Sequence, residues 1–204
     1  MKIFFAVALF LLAACASNPE ALHNYRSYLS NKGVHQVSPE KFQHCHAYGC
    51  EKVDIIVFEE GQWSELDSMF KPASKSAGEE HERLIKAVGW FEREVGELNG
   101  TSEDVYGTFK KFGPLQLDCV DESTNTTTYL SLIEQRGHLK FHRIRKPHMR
   151  APFFGGGGWP HLTAVITNKE SGVEYAIDSW FGDNGEPPYI VPLEEWTHGW
   201  RPEK

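Results

Sequence analysis

Basic residues are in short supply: 21 Lys and Arg stand against 28 Asp and Glu in 204 residues, a formal charge of −7. That balance offers no basic face to a phosphate backbone, which excludes nucleic acid as a partner. No repeat or long low-complexity tract interrupts the chain, and 40% hydrophobic with 13% aromatic content supplies one substantial core. The apolar run Ile3–Leu12 is too short to cross a bilayer as a mature helix. Gly155–Gly158 lacks a following Lys-Ser or Lys-Thr and a helix start, so it is no phosphate cradle and reads as a flexible approach to His161. Cysteine is scarce too, at four residues, and each has to be placed separately.

The first follows Lys2 and the apolar run, a pattern that marks an export signal. The quartet Leu12-Ala13-Ala14-Cys15 resembles the lipobox of bacterial lipoproteins. The resemblance implies a signal peptide over 1–14, lipid on Cys15, and a chain held at the bacterial cell envelope, facing the periplasm. Removing 1–14 takes away one lysine and no acid, so the formal charge becomes −8. A polar tether with some helix is expected over 15–33 and a single domain over 34–204.

Export favours oxidised thiols. Cys45 and Cys50 lie five apart in "QHCHAYGC", where Gly49 permits a tight loop, and a local disulfide is the expected state. A metal site of His44, Cys45, His46 and Cys50 is the alternative, since both ligand types suit zinc. The second ligand pair of a usual zinc spacing is missing, so the expectation is no metal and no cofactor.

That leaves Cys119. Lys52–Phe58 reads as a strand and Gln62–Phe70 as a short helix, and from Gly78 the residues Leu84, Val88, Phe91, Val95 and Leu98 mark one apolar helical face that Gly100 closes. Asp118 then opens a helix as N-cap, able to accept from the N–H of Val120 or Asp121, and Gly137 stops it. The interior "TNTTT" forms helix poorly, so tertiary packing must hold it. A thiol in that first turn meets the positive end of the helix, which favours thiolate, while Asp118, Asp121 and Glu122 oppose it, so a reactive Cys119 needs a cationic partner. A buried, inert cysteine is the competing reading.

Forty residues on, His161–Thr167 and Val173–Asp178 alternate around the turn "NKESG" and read as a β-hairpin. With Thr167 near Val173, His161 faces Asp178 or Ser179, close enough for a carboxylate to hold the imidazole. Nucleophile, base and orienting acid would then share one place. The order Cys, His, Asp, as "DCVDES" at a helix start and "PHLTAVI" and "EYAIDSW" on consecutive strands, resembles the transglutaminase-like cysteine enzyme superfamily, closest to its bacterial peptidase branch, over about Gly78–Gly182.

The resemblance implies an α+β, papain-like core with Cys119 as nucleophile, His161 as general base and acid, and Asp178 as orienting carboxylate, acting on protein or peptide substrates. Val120 stands where animal transglutaminases carry an aromatic, which points to hydrolysis of a peptide or amide over acyl transfer to lysine. The N–H of Cys119 is the natural oxyanion donor, with Gln116 as a second and Trp63 and Tyr106 as weaker candidates. Trp180 and Phe181 are cleft candidates within a cluster of mostly packing aromatics, Trp159, Trp196 and Trp200 among them. The basic stretch His138–Arg150 reads as a solvated strand and loop. A non-catalytic envelope lipoprotein using the same fold for binding is the second functional reading.

Overall fold

The computed structural model describes residues 24–108, 113–151 and 160–203. The expectations for the export signal, Cys15, the glycine run and Trp159 lie outside the described residues. The architecture is mixed α+β. In chain order it comprises α1 (Tyr25–Asn31), β1 (Val37–Ser38), β2 (Lys41–His46), β3 (Lys52–Ile56), α2 (Glu60–Met69), α3 (Ala77–Asn99), a 3-10 turn (Thr101–Glu103), α4 (Cys119–Gln135), β4 (His142–Arg150), β5 (His161–Asn168), β6 (Glu174–Asp178), β7 (Tyr189–Pro192) and α5 (Leu193–Thr197). Two antiparallel sheets form, β1-β2-β3 and the meander β4-β5-β6-β7. Helix α4 touches β2 of the first sheet and β4 and β5 of the second, so it joins the two.

The domain begins earlier than residue 34. Tyr25, Tyr28 and Leu29 of α1 are buried in the main core, and the Tyr28 hydroxyl hydrogen-bonds Thr124 of α4 at 3.1 Å. Tyr25, Tyr28 and Leu29 anchor what reads in sequence as a tether.

Helix α3 is capped by Ser76, whose Oγ accepts the N–H of Glu79 at 3.2 Å, and closed by Gly100 in the left-handed region at φ 86°. Its face Leu84, Val88, Phe91 and Val95 is fully buried. Leu98, expected on that face, is 55% exposed instead, in a surface groove beside Ile55 and Val57 where the helix outruns the core. Phe91 meets Phe42, Phe58 and Trp63, an aromatic cluster whose rings pack mostly edge to face.

Helix α4 is buried on every side from Asp121 to Ile133. Its hydroxyls make this tolerable: Thr124 donates to Val120 O, Thr127 to Ser123 O and Thr128 to Thr124 O, so these three threonines are satisfied within the helix. Asn125 reaches across to β2, accepting from Cys45 N at 2.7 Å and donating to Cys45 O at 2.9 Å.

Strand β5 is covered on both faces. Ala164 and Ile166 enter the main core, whereas Val165 joins Ala176, Val191, Leu193 and Trp196 on the other side. The register pairs Ala164 with Ile177 and Thr167 with Glu174, not with Val173. The register moves by one residue because Asn168 stays in β5: its N–H donates to Val173 O at 2.8 Å while its side chain accepts the N–H groups of Glu170 and Ser171. Continued by one step, this register sets Asp178 against Thr163. His161 is therefore its diagonal neighbour on the same face rather than its direct partner, and still within side-chain reach.

Candidate active site

Asp118 caps α4 as its sequence demands: Oδ1 accepts the N–H of Val120 at 2.9 Å and of Asp121 at 3.0 Å. This sets Cys119 in the first helical position, with its own N–H outside those bonds, as the first amides of a helix are. Cys119 is the free cysteine among the described residues and is partly exposed.

The N–H of Leu162, next to His161 on β5, points at the Cys119 sulfur and favours its ionisation. Burial outweighs it: with Asp118, Asp178 and Asp121 adding in the same direction, the thiol is pushed up to about 12. The resting group at neutral pH is a neutral thiol, not the thiolate that a helix start alone would favour.

His161 and Asp178 meet. Nε2 of His161 lies 2.8 Å from Oδ2 of Asp178, and both side chains are buried. A carboxylate only accepts, so the ring proton resides on Nε2 and Nδ1 is left as the basic nitrogen. Trp196 Nε1 donates to the same Oδ2 at 2.7 Å, fixing the acid in turn. Rings enclose the imidazole, with centroids of Trp180 at 4.7 Å, Phe181 at 5.3 Å and Trp196 at 5.4 Å. Trp180 and Phe181 thus pack on His161, while the cleft itself is lined by other residues.

That cleft has a volume of about 780 Å³. Tyr28 and Lys32 line one part, Asp118, Cys119 and Val120 its floor, and the β4 bend with Pro160–Leu162 the rest. Cys119 and His161 both open onto it.

Arg150 was not legible as part of this site. It pairs with His161 across β4 and β5, is 2% exposed, and its guanidinium lies 4.5 Å from the Trp196 ring centroid. Nη1 donates to the carbonyls of Trp196 at 2.7 Å and Trp200 at 2.9 Å. Burial pulls its pKa down while the Asp178 carboxylate pulls it up. The stretch His138–Arg150 forms the expected strand, with Arg143, Lys146, His148 and Met149 exposed, but it is not solvated throughout: His142 and Arg150 are buried, and Nδ1 of His142 bonds the buried Glu80 at 2.8 Å. Pro147, sitting in a bulge between Arg145 and His148, breaks the alternation of buried and exposed residues along β4.

Gln116 does not face the cleft. Its Nε2 donates to Glu103 O at 2.8 Å and its Oε1 accepts from Val105 N at 3.2 Å, so the side chain braces the loop before α4. Trp63 belongs to the aromatic core, and Tyr106 is exposed, with its N–H on Asp183.

The Cys45–Cys50 disulfide is formed. Its sulfurs lie near a carboxylate oxygen of Asp121, but that carboxylate accepts the N–H groups of Tyr48, Cys50 and Asp118. His44 sits between the side-chain amides of Asn99 and Asn125, and its burial brings it down to about 3. His46 bonds Pro114 O through Nδ1 and lies 3.0 Å from Asp54 through Nε2. The four residues of the metal alternative are thus engaged separately.

Comparison of the chain with protein-family models, curated proteins and solved structures finds no match. The functional reading therefore rests on the residues themselves.

Proposed function

We propose that the protein is a cysteine hydrolase of peptides or amides, similar to the transglutaminase-like peptidases, exported and lipid-anchored through Cys15. The observation that carries this reading is the His161–Asp178 contact of 2.8 Å beside a cleft that also holds Cys119 at a helix start. Because the thiol is neutral at rest, His161 acts as a true general base. Nδ1 takes the proton as sulfur attacks the carbonyl carbon, and the oxyanion turns toward the N–H of Cys119. The imidazolium, steadied by Asp178, returns the proton to the departing amine, leaving an acyl-cysteine. Water, deprotonated by His161 in its turn, releases the acid and restores the thiol.

The neutral thiol also favours a second reading, an envelope lipoprotein that binds without catalysis. A p-nitrophenyl acetate assay separates them. The hydrolase should give a stoichiometric burst of nitrophenolate with acetyl on Cys119 by mass spectrometry, none in Cys119→Ala, and a rate about 10²- to 10⁴-fold lower in His161→Ala. An unacylated Cys119, or acylation indifferent to His161, selects the binding protein.

A further inference from the structure

We infer that the cleft beside Cys119 holds an anionic group of the substrate, so that the preferred amide belongs to an acidic peptide. This rests on the hydrolase reading and names its substrate class. The chain as a whole carries −7, yet the cleft has the opposite sign. Lys32, directly after α1, lines it together with Lys146 and His148 of β4. The β4–β5 pairing explains why: Arg145 faces Val165 and His148 faces Thr163, so β4 holds one residue more than its partner between them. Such a bulge re-aims side chains, and here it leaves Lys146 exposed on the cleft.

Against the lysines, Asp118 is the one acidic side chain lining the cleft among the described residues. Its Oδ1 accepts the N–H groups of Gly49, Val120 and Asp121, which disperse its charge. Arg145 also lines the cleft but is ion-paired with Glu174. Lysine offers a point charge rather than a bidentate fork, so the cleft draws an anionic group without fixing its geometry. Tyr28, Met149 and Leu162 supply apolar contact for the peptide that carries it. Walls of one sign around a concave surface focus the field on the entering ligand.

The test compares alkylation of Cys119 by iodoacetate and iodoacetamide at about pH 9, where the lysines remain charged. Both reactions displace iodide from carbon by sulfur, and the reagents differ by one negative charge. Relative to N-acetylcysteine, the iodoacetate-to-iodoacetamide rate ratio should be roughly tenfold higher at low salt, the lower end of steering by charged clefts. It should fall to the N-acetylcysteine value in Lys32→Ala/Lys146→Ala and in about 0.5 M salt, where screening is nearly complete within a few ångströms. An unraised ratio at low salt, or one the double variant leaves intact, overturns the inference while the hydrolase reading stands. If Cys119 reacts with neither reagent, as a thiol raised so far allows, the hydrolase reading stays with the nitrophenyl acetate assay. Tryptophan fluorescence then decides the cleft's charge: tighter binding of an acetylated, amidated Asp-Gly tetrapeptide than of its Lys-Gly counterpart, lost in the double variant, supports the inference, and equal or absent binding overturns it.

Discussion

Asp178 shows how a single carboxylate organises the site. One oxygen takes both the His161 ring N–H and the Trp196 indole N–H. Each donor constrains the other, and Arg150, buried over Trp196, balances the charge they surround. Trp196→Phe keeps the ring against His161 and Arg150 but removes the N–H. The expected outcome is a loss of about 1–3 kcal/mol in urea unfolding, the usual penalty for a buried hydrogen bond to a charged group, with a slower acylation burst. Unchanged stability and burst rate would show that Trp196 serves packing alone. Indole rings are common core material, so nothing in sequence marked this one as a donor to the acid.

Among the elements, the start of α4 depends on a loop seventy residues earlier. Ala47, Tyr48, Gly49 and Cys50 all adopt positive φ, between 63° and 74°, which is unfavourable for the three that are not glycine. The run persists because its amides converge on two carboxylates, Gly49 N on Asp118 and Tyr48 N and Cys50 N on Asp121. Asp121→Asn should disrupt this docking. Oδ1 serves Cys50 and Oδ2 serves Tyr48 and Asp118, so either orientation of the new amide turns an NH₂ toward a backbone N–H. Urea denaturation should register a loss of about 1–3 kcal/mol, and dithiothreitol should reduce Cys45–Cys50 faster. Equal stability and equal reduction rates would show that the loop holds itself. The cap at Asp118 was legible because N-capping is local; the loop was not, since only Gly49 advertises a left-handed backbone.

At the scale of the whole molecule, the surroundings of α4 are crowded with acids. Burial raises Glu92 to about 8 and Asp104 and Asp121 to about 7, and lifts Glu122 well above its usual range, each adding to another's repulsion. Raised acids bind protons in the folded state that the unfolded chain has already released, so stability falls as pH rises toward their folded values. Buried His44 and His81, lowered to about 3 and about 4, act oppositely, but chiefly below their ordinary value near 6.5. Between about pH 6.5 and 8 the acids dominate. Calorimetry should find Tm rising as pH is lowered across that window, and Glu92→Gln should flatten the rise. A Tm that is constant or increases with pH would contradict this account.

Local chemistry made much of this protein readable. The apolar face of α3, its closing Gly100, the Asp118 cap before Cys119 and the hairpin of β5 and β6 depend on residues within a few positions of one another, so composition and spacing determined them. The aromatic residues of α1 joined the core where α4 offered both packing and hydroxyl partners, Ser131 for Tyr25 and Thr124 for Tyr28. The hairpin register moved because Asn168 built its own turn, a choice between nearly equal local hydrogen-bond patterns. The thiol's protonation, the second donor on Asp178, the buried Arg150 and the positive cleft depended on which distant segments came together. Desolvation and long-range charge act through space rather than along the chain, so only the tertiary structure decided them.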